Sequence, residues 1–215
     1  MALDLEEQEQ VAELKAWWQT HGRLITSVIV AVALGFAGWQ GWRIYQQNQA
    51  ANAAGLYDTL ARAAEAGDAK AMRDAAGTLI ESYPRTLYAS MGALTAARFF
   101  FDRNDPKSAR AQLQWVLDNS NSEEMRDLAR LRLAAVLLDE KAYDEALKLL
   151  NVAHGAAFES QYAASRGDVL AAKKQTADAR AAYKLALEKA GKQDAGFRET
   201  VRMRLDALGG ADAGG

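Results

Sequence analysis

Two histidines, His21 and His154, are the only imidazoles in a chain of 215 residues that contains no cysteine. A Ser-His-Asp arrangement or a zinc site needs a histidine with partners around it. His21 borders an apolar run, and His154 stands before Gly155 at the end of a helical stretch. The first is read as a membrane-edge residue, the second as a helix-end or surface residue. The lack of thiols excludes disulfides, thiolate nucleophiles, cysteine-ligated zinc and lipidated cysteine. The carboxylate pairs Glu123-Glu124, Asp139-Glu140 and Asp144-Glu145 fall near helix ends. Near starts they suit the macrodipole, and elsewhere they are solvated. The glycines are isolated rather than gathered in a phosphate-cradling loop. Arg126, Arg130 and Arg132 are accompanied by Glu123, Glu124 and Asp127, so no phosphate patch is indicated. No catalytic, cofactor-binding or metal-ligating residue is assigned, and no cofactor is expected. With 26 Lys and Arg against 28 Asp and Glu, the net charge of −2 provides no basic field, which argues against nucleic acid as a partner.

Aromatic residues are the better candidates, for binding rather than catalysis. Phe99, Phe100 and Phe101 are consecutive, and on a helix they span about 200°, so they cannot all face one core. Trp115 points nearly opposite the stripe of Leu113, Val116 and Leu117. Two readings stay open: these rings pack against a neighbouring repeat, or they line a concave groove that takes partners. Phe99, Phe100 and Trp115 are the candidate partner-binding residues.

The elements that carry them are helical. Two prolines in 215 residues, amid abundant Ala, Leu, Lys, Arg, Glu and Gln, predict an all-α chain. From Leu24 to Trp42 nineteen residues carry no charge. As a helix they reach roughly 28 Å, close to the roughly 30 Å of bilayer hydrocarbon. Trp39, Trp42 and Tyr45 cluster at one end, where amphipathic rings favour headgroups, and Arg23 and Arg43 bracket the run. A buried core helix of this length would carry a polar face. A cleaved signal peptide would start with a short basic region, whereas this run follows Asp4, Glu6, Glu7, Glu9 and Glu13. The expectation is an uncleaved anchor in the lipid bilayer at 24–42. Lys15 and Arg23 on one side balance Arg43 and Arg62 on the other, so charge leaves the orientation nearly tied. Ala31 with Gly35, and Ala37 with Gly41, place small residues one turn apart, where another membrane helix could approach. Residues 1–23 read as an acidic amphipathic tail with Val11, Leu14, Trp17 and Trp18 on one stripe and a break at Gly22. Residues 43–51 are either a linker or an extension of the membrane helix.

From 52 to 208 the pattern is helix, turn, helix. Breaks fall at Gly67-Asp68, Tyr83-Pro84, Asn104-Asp105-Pro106, Asn119-Ser120-Asn121, Lys141-Ala142, His154-Gly155, Gln175-Thr176 and Gly191-Lys192. Asp105 before Pro106 is a strong helix start, and Asn121 with Glu124 resembles a capping box. Small residues recur early in each second helix at Ala75, Ala109, Ala146 and Ala179, with separations of 34, 37 and 33. These bracket the 34 of a tetratricopeptide repeat. Large residues follow at Leu79, Leu113, Leu150 and Tyr183. Such a unit cannot bury its apolar face alone, so about four are stacked. A last helix, about 194–208, caps them with Arg198, Glu199, Arg202 and Arg204 outward, and 209–215 is a disordered tail.

The order of acidic tail, span and repeats resembles a known family. Glu9-Gln10-Val11, Lys15, Trp17-Trp18 and Gly22, followed by a span ending in Gly38-Trp39 and Trp42-Arg43, are similar to the tail and anchor of the bacterial YfgM family. The resemblance covers essentially the whole chain. It implies an ancillary subunit of the SecYEG translocon in the inner membrane, with the N-terminus cytoplasmic and the repeat domain in the periplasm. It also implies association with a membrane-anchored periplasmic chaperone of the prolyl-isomerase type. The family defines no catalytic residues. The chain is therefore expected to be a membrane-anchored interaction scaffold rather than an enzyme. A scaffold for another cell-envelope complex is the alternative, and an enzyme with an unrecognised site is the remaining one.

Overall fold

The structure, a computed structural model, describes residues 2–209, with side chains from Gln10 onward. Among the described residues all regular structure is helical, in the order α1 (Ala2–Ala66), α2 (Ala69–Ser82), α3 (Leu87–Phe101), α4 (Pro106–Asn119), α5 (Glu123–Asp139), α6 (Tyr143–Leu150), a short 3-10 turn (Ala156–Phe158), α7 (Glu159–Ala172), α8 (Thr176–Lys189) and α9 (Ala195–Ala207). The chain forms two units, residues 1–49 and 50–215.

The first unit is helix throughout its described length. It holds a stretch long and apolar enough to cross a membrane, with none of its most apolar window buried. Val28, Ile29, Val30, Val32, Leu34 and Phe36 all stand exposed. A solvent-facing helix in water would not carry such residues on every side. The break expected at Gly22 does not occur: α1 runs straight through it. Glycine serves there by having no side chain, because a Cβ would meet the Trp18 indole at 3.1 Å. Thr26 and Ser27, the polar residues of the span, donate to the carbonyls of Gly22 and Arg23 at 2.7 and 2.8 Å, which lowers the cost of placing hydroxyls in hydrocarbon. Residues 43–51 continue the helix.

The second unit is built of helical hairpins. Ala53, Leu60 and Ala63, near the end of α1, share one core with Met72, Ala75, Ala76 and Leu79 of α2. After them α3 pairs with α4, α5 with α6 and α7 with α8, while α9 lies on α8. The first helices of successive hairpins also touch, α3 against α5 and α5 against α7. Each turn within a hairpin is made alike. A residue with φ near +60 to +72° ends the first helix: Gly67, Asn104, Lys141 and Lys174. The next N–H donates back to Ala63, Phe100, Leu137 or Leu170. This closure satisfies carbonyls that a helix end leaves free.

These turns fix the repeat register and correct the sequence reading in one unit. Ala109, Ala146 and Ala179 donate to the carbonyls of Asp105, Ala142 and Gln175; in the first hairpin the residue that does so, to Asp68, is Met72 and not Ala75. The true separations are 37, 37 and 33 residues. Methionine stands where the others have alanine, and Ala63 stands where they have Phe100, Leu137 and Leu170. Large and small have changed places across one contact. Such an exchange conserves volume, which cores tolerate best.

Caps differ in detail from the expectation. Asp105 caps α4 through Ser108, as the Asp-Pro pair suggests. The cap of α5 is Ser122 rather than Asn121: its Oγ accepts from the Met125 N–H at 3.2 Å and donates to Glu124 at 2.7 Å. In α9, Val201 and Leu205 are buried. Arg198 is not an outward charge, since it donates to the Leu187 and Ala190 carbonyls at the end of α8. Of the expected disordered tail, 209–215, residues 210–215 lie outside the described residues.

Candidate functional site

Three polar arrangements stand out in the repeat unit, and two of them serve packing. Asp127 of α5 is 2% exposed. Its carboxylate accepts from Arg130 Nη1 at 2.8 Å, from the Tyr162 hydroxyl at 2.9 Å and from the Gly155 N–H at 2.9 Å. Helix α5, the turn before α7 and α7 itself are thereby joined. Burial first, then the bond to Asp127, pushes the Tyr162 phenol up to about 12. His154, expected at a helix end or the surface, lies just past the end of α6 with its side chain 11% exposed, stacked flat on Tyr162 with ring centroids 3.9 Å apart. Its Nε2 lies 3.3 Å from a Glu159 oxygen, out of line for a hydrogen bond. Asp168 of α7 makes the corresponding link in the following repeat, accepting from Tyr183 at 2.8 Å and from Arg204 at 2.7 Å. Burial lifts the Asp168 carboxyl above its ordinary range, while Tyr183 and Arg204 pull it back. Among the described residues no group of histidines, cysteines and carboxylates could hold a metal ion.

The third arrangement is open. A cleft of about 230 Å³ lies between α3 and α5, lined by Ala97, Arg98, Phe101, Asp102, Leu113, Arg132, Ala135 and Val136. Its floor is apolar: Ala97, Leu113 and Val136 belong to the central core. Phe101, at 37% exposure, forms a wall. Arg98 and Arg132 bring two guanidinium groups, and Asp102 lies 3.5 Å from Arg98. Arg132 donates across the interhelical gap to the Leu94 carbonyl at 3.1 Å. Burial first, and the charge of Arg98 second, draw the Arg132 guanidinium below its usual range.

The structure sorts the aromatic candidates. Phe99 and Phe100 are 5% and 3% exposed, packed edge to face beside Ala96 and Ala109. Arg103 covers the Phe99 ring at 3.7 Å and Arg73 the Phe100 ring at 5.3 Å. Rings so enclosed have no free face for a partner, and the third phenylalanine, Phe101, is the one left at the surface. Trp115 is half-buried against the central core. The small residues Gly35 and Gly41 of the span have open space around them, and Ala31 and Ala37 are exposed on the same helix. Sequence reasoning passes over Arg132, grouping it with neighbouring carboxylates. Arg126 and Arg130 do pair with Glu123 and Asp127, but no carboxylate pairs with Arg132 among the described residues. The usable signal is spacing, since Arg132 is six after Arg126 and two after Arg130, and so points elsewhere on the helix.

Residues 15–210 match the family described as tetratricopeptide repeat-like domain. The chain is 35% identical over 210 residues to a protein of Neisseria gonorrhoeae named ancillary SecYEG translocon subunit, covering 97% of this chain and 100% of that one. The chain belongs to this family. Relatives of the same name in Haemophilus influenzae and Escherichia coli are 28% and 27% identical, covering 97% and 94% of this chain and 100% and 96% of theirs. As a YfgM-family member the chain thus matches its relatives from tail to last repeat, and the cleft between α3 and α5 lies inside the matched region.

Proposed function

We propose that the chain is a membrane-anchored protein-interaction scaffold, an ancillary subunit of the SecYEG translocon in the bacterial inner membrane. The observation that carries this reading is the full-length similarity to relatives named as such, spanning both the apolar helix and the repeats. The mechanism is tethering. An anchor at 24–42 confines the repeats to the membrane surface and raises their effective concentration near membrane partners. In this reading 1–23 is a cytoplasmic tail, 43–51 extends the helix, and 52–208 works in the periplasm. There it assists a membrane-anchored chaperone of the prolyl-isomerase type on newly translocated proteins. Ala31, Gly35, Ala37 and Gly41 form the face on which a translocon helix packs, and Trp115 faces a periplasmic partner. The repeats bind and position, and catalysis belongs to the partners.

Gentle solubilisation of membranes and isolation of the tagged full chain tests the reading. The translocon subunits and the chaperone are expected to co-purify, and protease added to spheroplasts should digest the repeats while sparing the tail. A chain that alkaline carbonate strips from vesicles, or that co-purifies with a different envelope complex, overturns it.

A further inference from the structure

We infer that the cleft between α3 and α5 is a docking site for an extended protein segment carrying one carboxylate beside a large apolar side chain. The inference rests on the scaffold reading and names what the scaffold grips.

Arg132 supplies the main reason. Its half-buried guanidinium has five donors, and one of them is used, on a carbonyl of α3. The other two arginines of the helix find carboxylates on α5 itself, at 3.4 and 2.8 Å. Arg132 has none among the described residues and lies close enough to Arg98 for the like charge to be felt. A partly desolvated cation without a counter-charge is costly unless something supplies one. Arg98 and Arg132 against Asp102 leave the cleft one positive charge in excess, so one carboxylate balances it.

The apolar half of the occupant follows from the floor and wall. Ala97, Leu113 and Val136 form the floor and the half-exposed Phe101 the wall, which suits one aromatic or branched aliphatic side chain. The volume of about 230 Å³ is below the roughly 300–1,000 Å³ of a small-molecule site. The cleft is lined by two adjacent first helices, α3 and α5, with Leu113 of α4 beneath them, a surface on which an extended chain can lie. Arginine forks carboxylates in a fixed plane, which gives such a site selectivity for Asp or Glu over their amides.

Fluorescence anisotropy with the full chain in nanodiscs of neutral lipid provides the test. The probes are two capped nine-residue peptides, alanine and serine around a central Glu-Phe in one and Gln-Phe in the other. The Glu peptide is expected to bind about tenfold more tightly than the Gln peptide, with the preference fading as salt rises. Arg132→Gln should erase the preference, and Phe101→Ala should weaken both peptides about equally. Arg98→Gln, at an exposed position that no packing depends on, should reduce the preference about threefold, and it keeps the test decisive if Arg132→Gln fails to fold. Equal affinity for the two peptides, no binding of either, or an unchanged preference in a folded Arg132→Gln protein overturns the proposal. Loss of binding to phosphatidylglycerol vesicles in Arg132→Gln, without peptide discrimination, assigns the cleft to lipid instead and equally overturns it. Peptide discrimination in a chain that does not co-purify with the translocon retains the cleft and sinks the Sec assignment. Co-purification without discrimination does the reverse.

Discussion

The carboxylate of Asp127 in α5 accepts the phenolic hydrogen of Tyr162 in α7 at 2.9 Å, across 35 residues of sequence. This bond joins two first helices of successive repeats. It holds a fully buried tyrosine in a fixed position under the His154 ring.

Removing the acceptor should therefore cost stability. Asp127→Ala leaves the buried Tyr162 hydroxyl without its partner, at about 1–3 kcal/mol, while the exposed Gly155 N–H turns to water. Thermal melting of the full chain in detergent, followed by helical circular dichroism, should show a midpoint lower by roughly 3–12 °C for a domain of this size. A midpoint within about 2 °C of the wild type would contradict the assignment.

The same pair dictates an alkaline response. The native Tyr162 phenol is held up to about 12, whereas an unfolded tyrosine titrates near 10. Between those values the native state keeps a proton that the unfolded state releases. The stabilisation is thus complete below about pH 10 and is lost as pH rises toward about 12. Tyr162→Phe removes this dependence. Its melting midpoint should start lower at pH 9 and fall less between pH 9 and 11 than that of the wild type. Parallel curves for the two proteins would refute the linkage.

Hairpin turns offer a gain. Lys141 and Lys174 hold φ near +60° on exposed turns, a region that costs an L-residue roughly 1 kcal/mol and glycine nothing. Lys141→Gly and Lys174→Gly should leave stability level or raise it by up to about 1 kcal/mol, after the greater freedom of glycine in the unfolded chain is subtracted. Gly67→Ala, at φ +72° and with a Cβ 2.9 Å from Arg103, should lower it. The three melting curves check the ordering.

Phe99 and Trp115 should separate by phenotype. Phe99→Ala empties a core position and is expected to destabilise the repeats by about 3–5 kcal/mol. Trp115→Ala, at a half-buried ring, should cost less and show its effect in the amount of translocon recovered with the tagged chain. Equal melting of the two variants would mean that Phe99 is less enclosed than its 5% exposure indicates.

Most of the architecture is legible from residues alone, because helical hairpins write themselves locally. The span declares itself by nineteen uncharged residues, and the turns by Gly, Asn and Asp-Pro pairs. The first repeat misaligns because Ala75 obeys the small-residue rule while Met72 holds the equivalent place; only the turn hydrogen bond distinguishes them. Gly22 misleads because glycine marks both helix ends and close approaches, and the nearby Trp18 decides for the latter. The candidate site is barely legible. Whether Phe99, Phe100 or Phe101 is the exposed ring depends on the angular phase of α3 against two neighbours. Where Arg132 reaches depends on a helix 38 residues earlier. Neither is a local property.

Arg198 has a practical implication for anyone trimming the chain. Its guanidinium spends itself on the carbonyls of Leu187 and Ala190, so α9 acts as a lid screwed onto the end of α8. A shortened version that stops before Arg198 would bare those acceptors together with the Tyr183 and Ala186 side chains that Val201 and Leu205 shield. Fusions and reporters are best attached after Leu208, beyond the Val201 and Leu205 side chains that do this shielding.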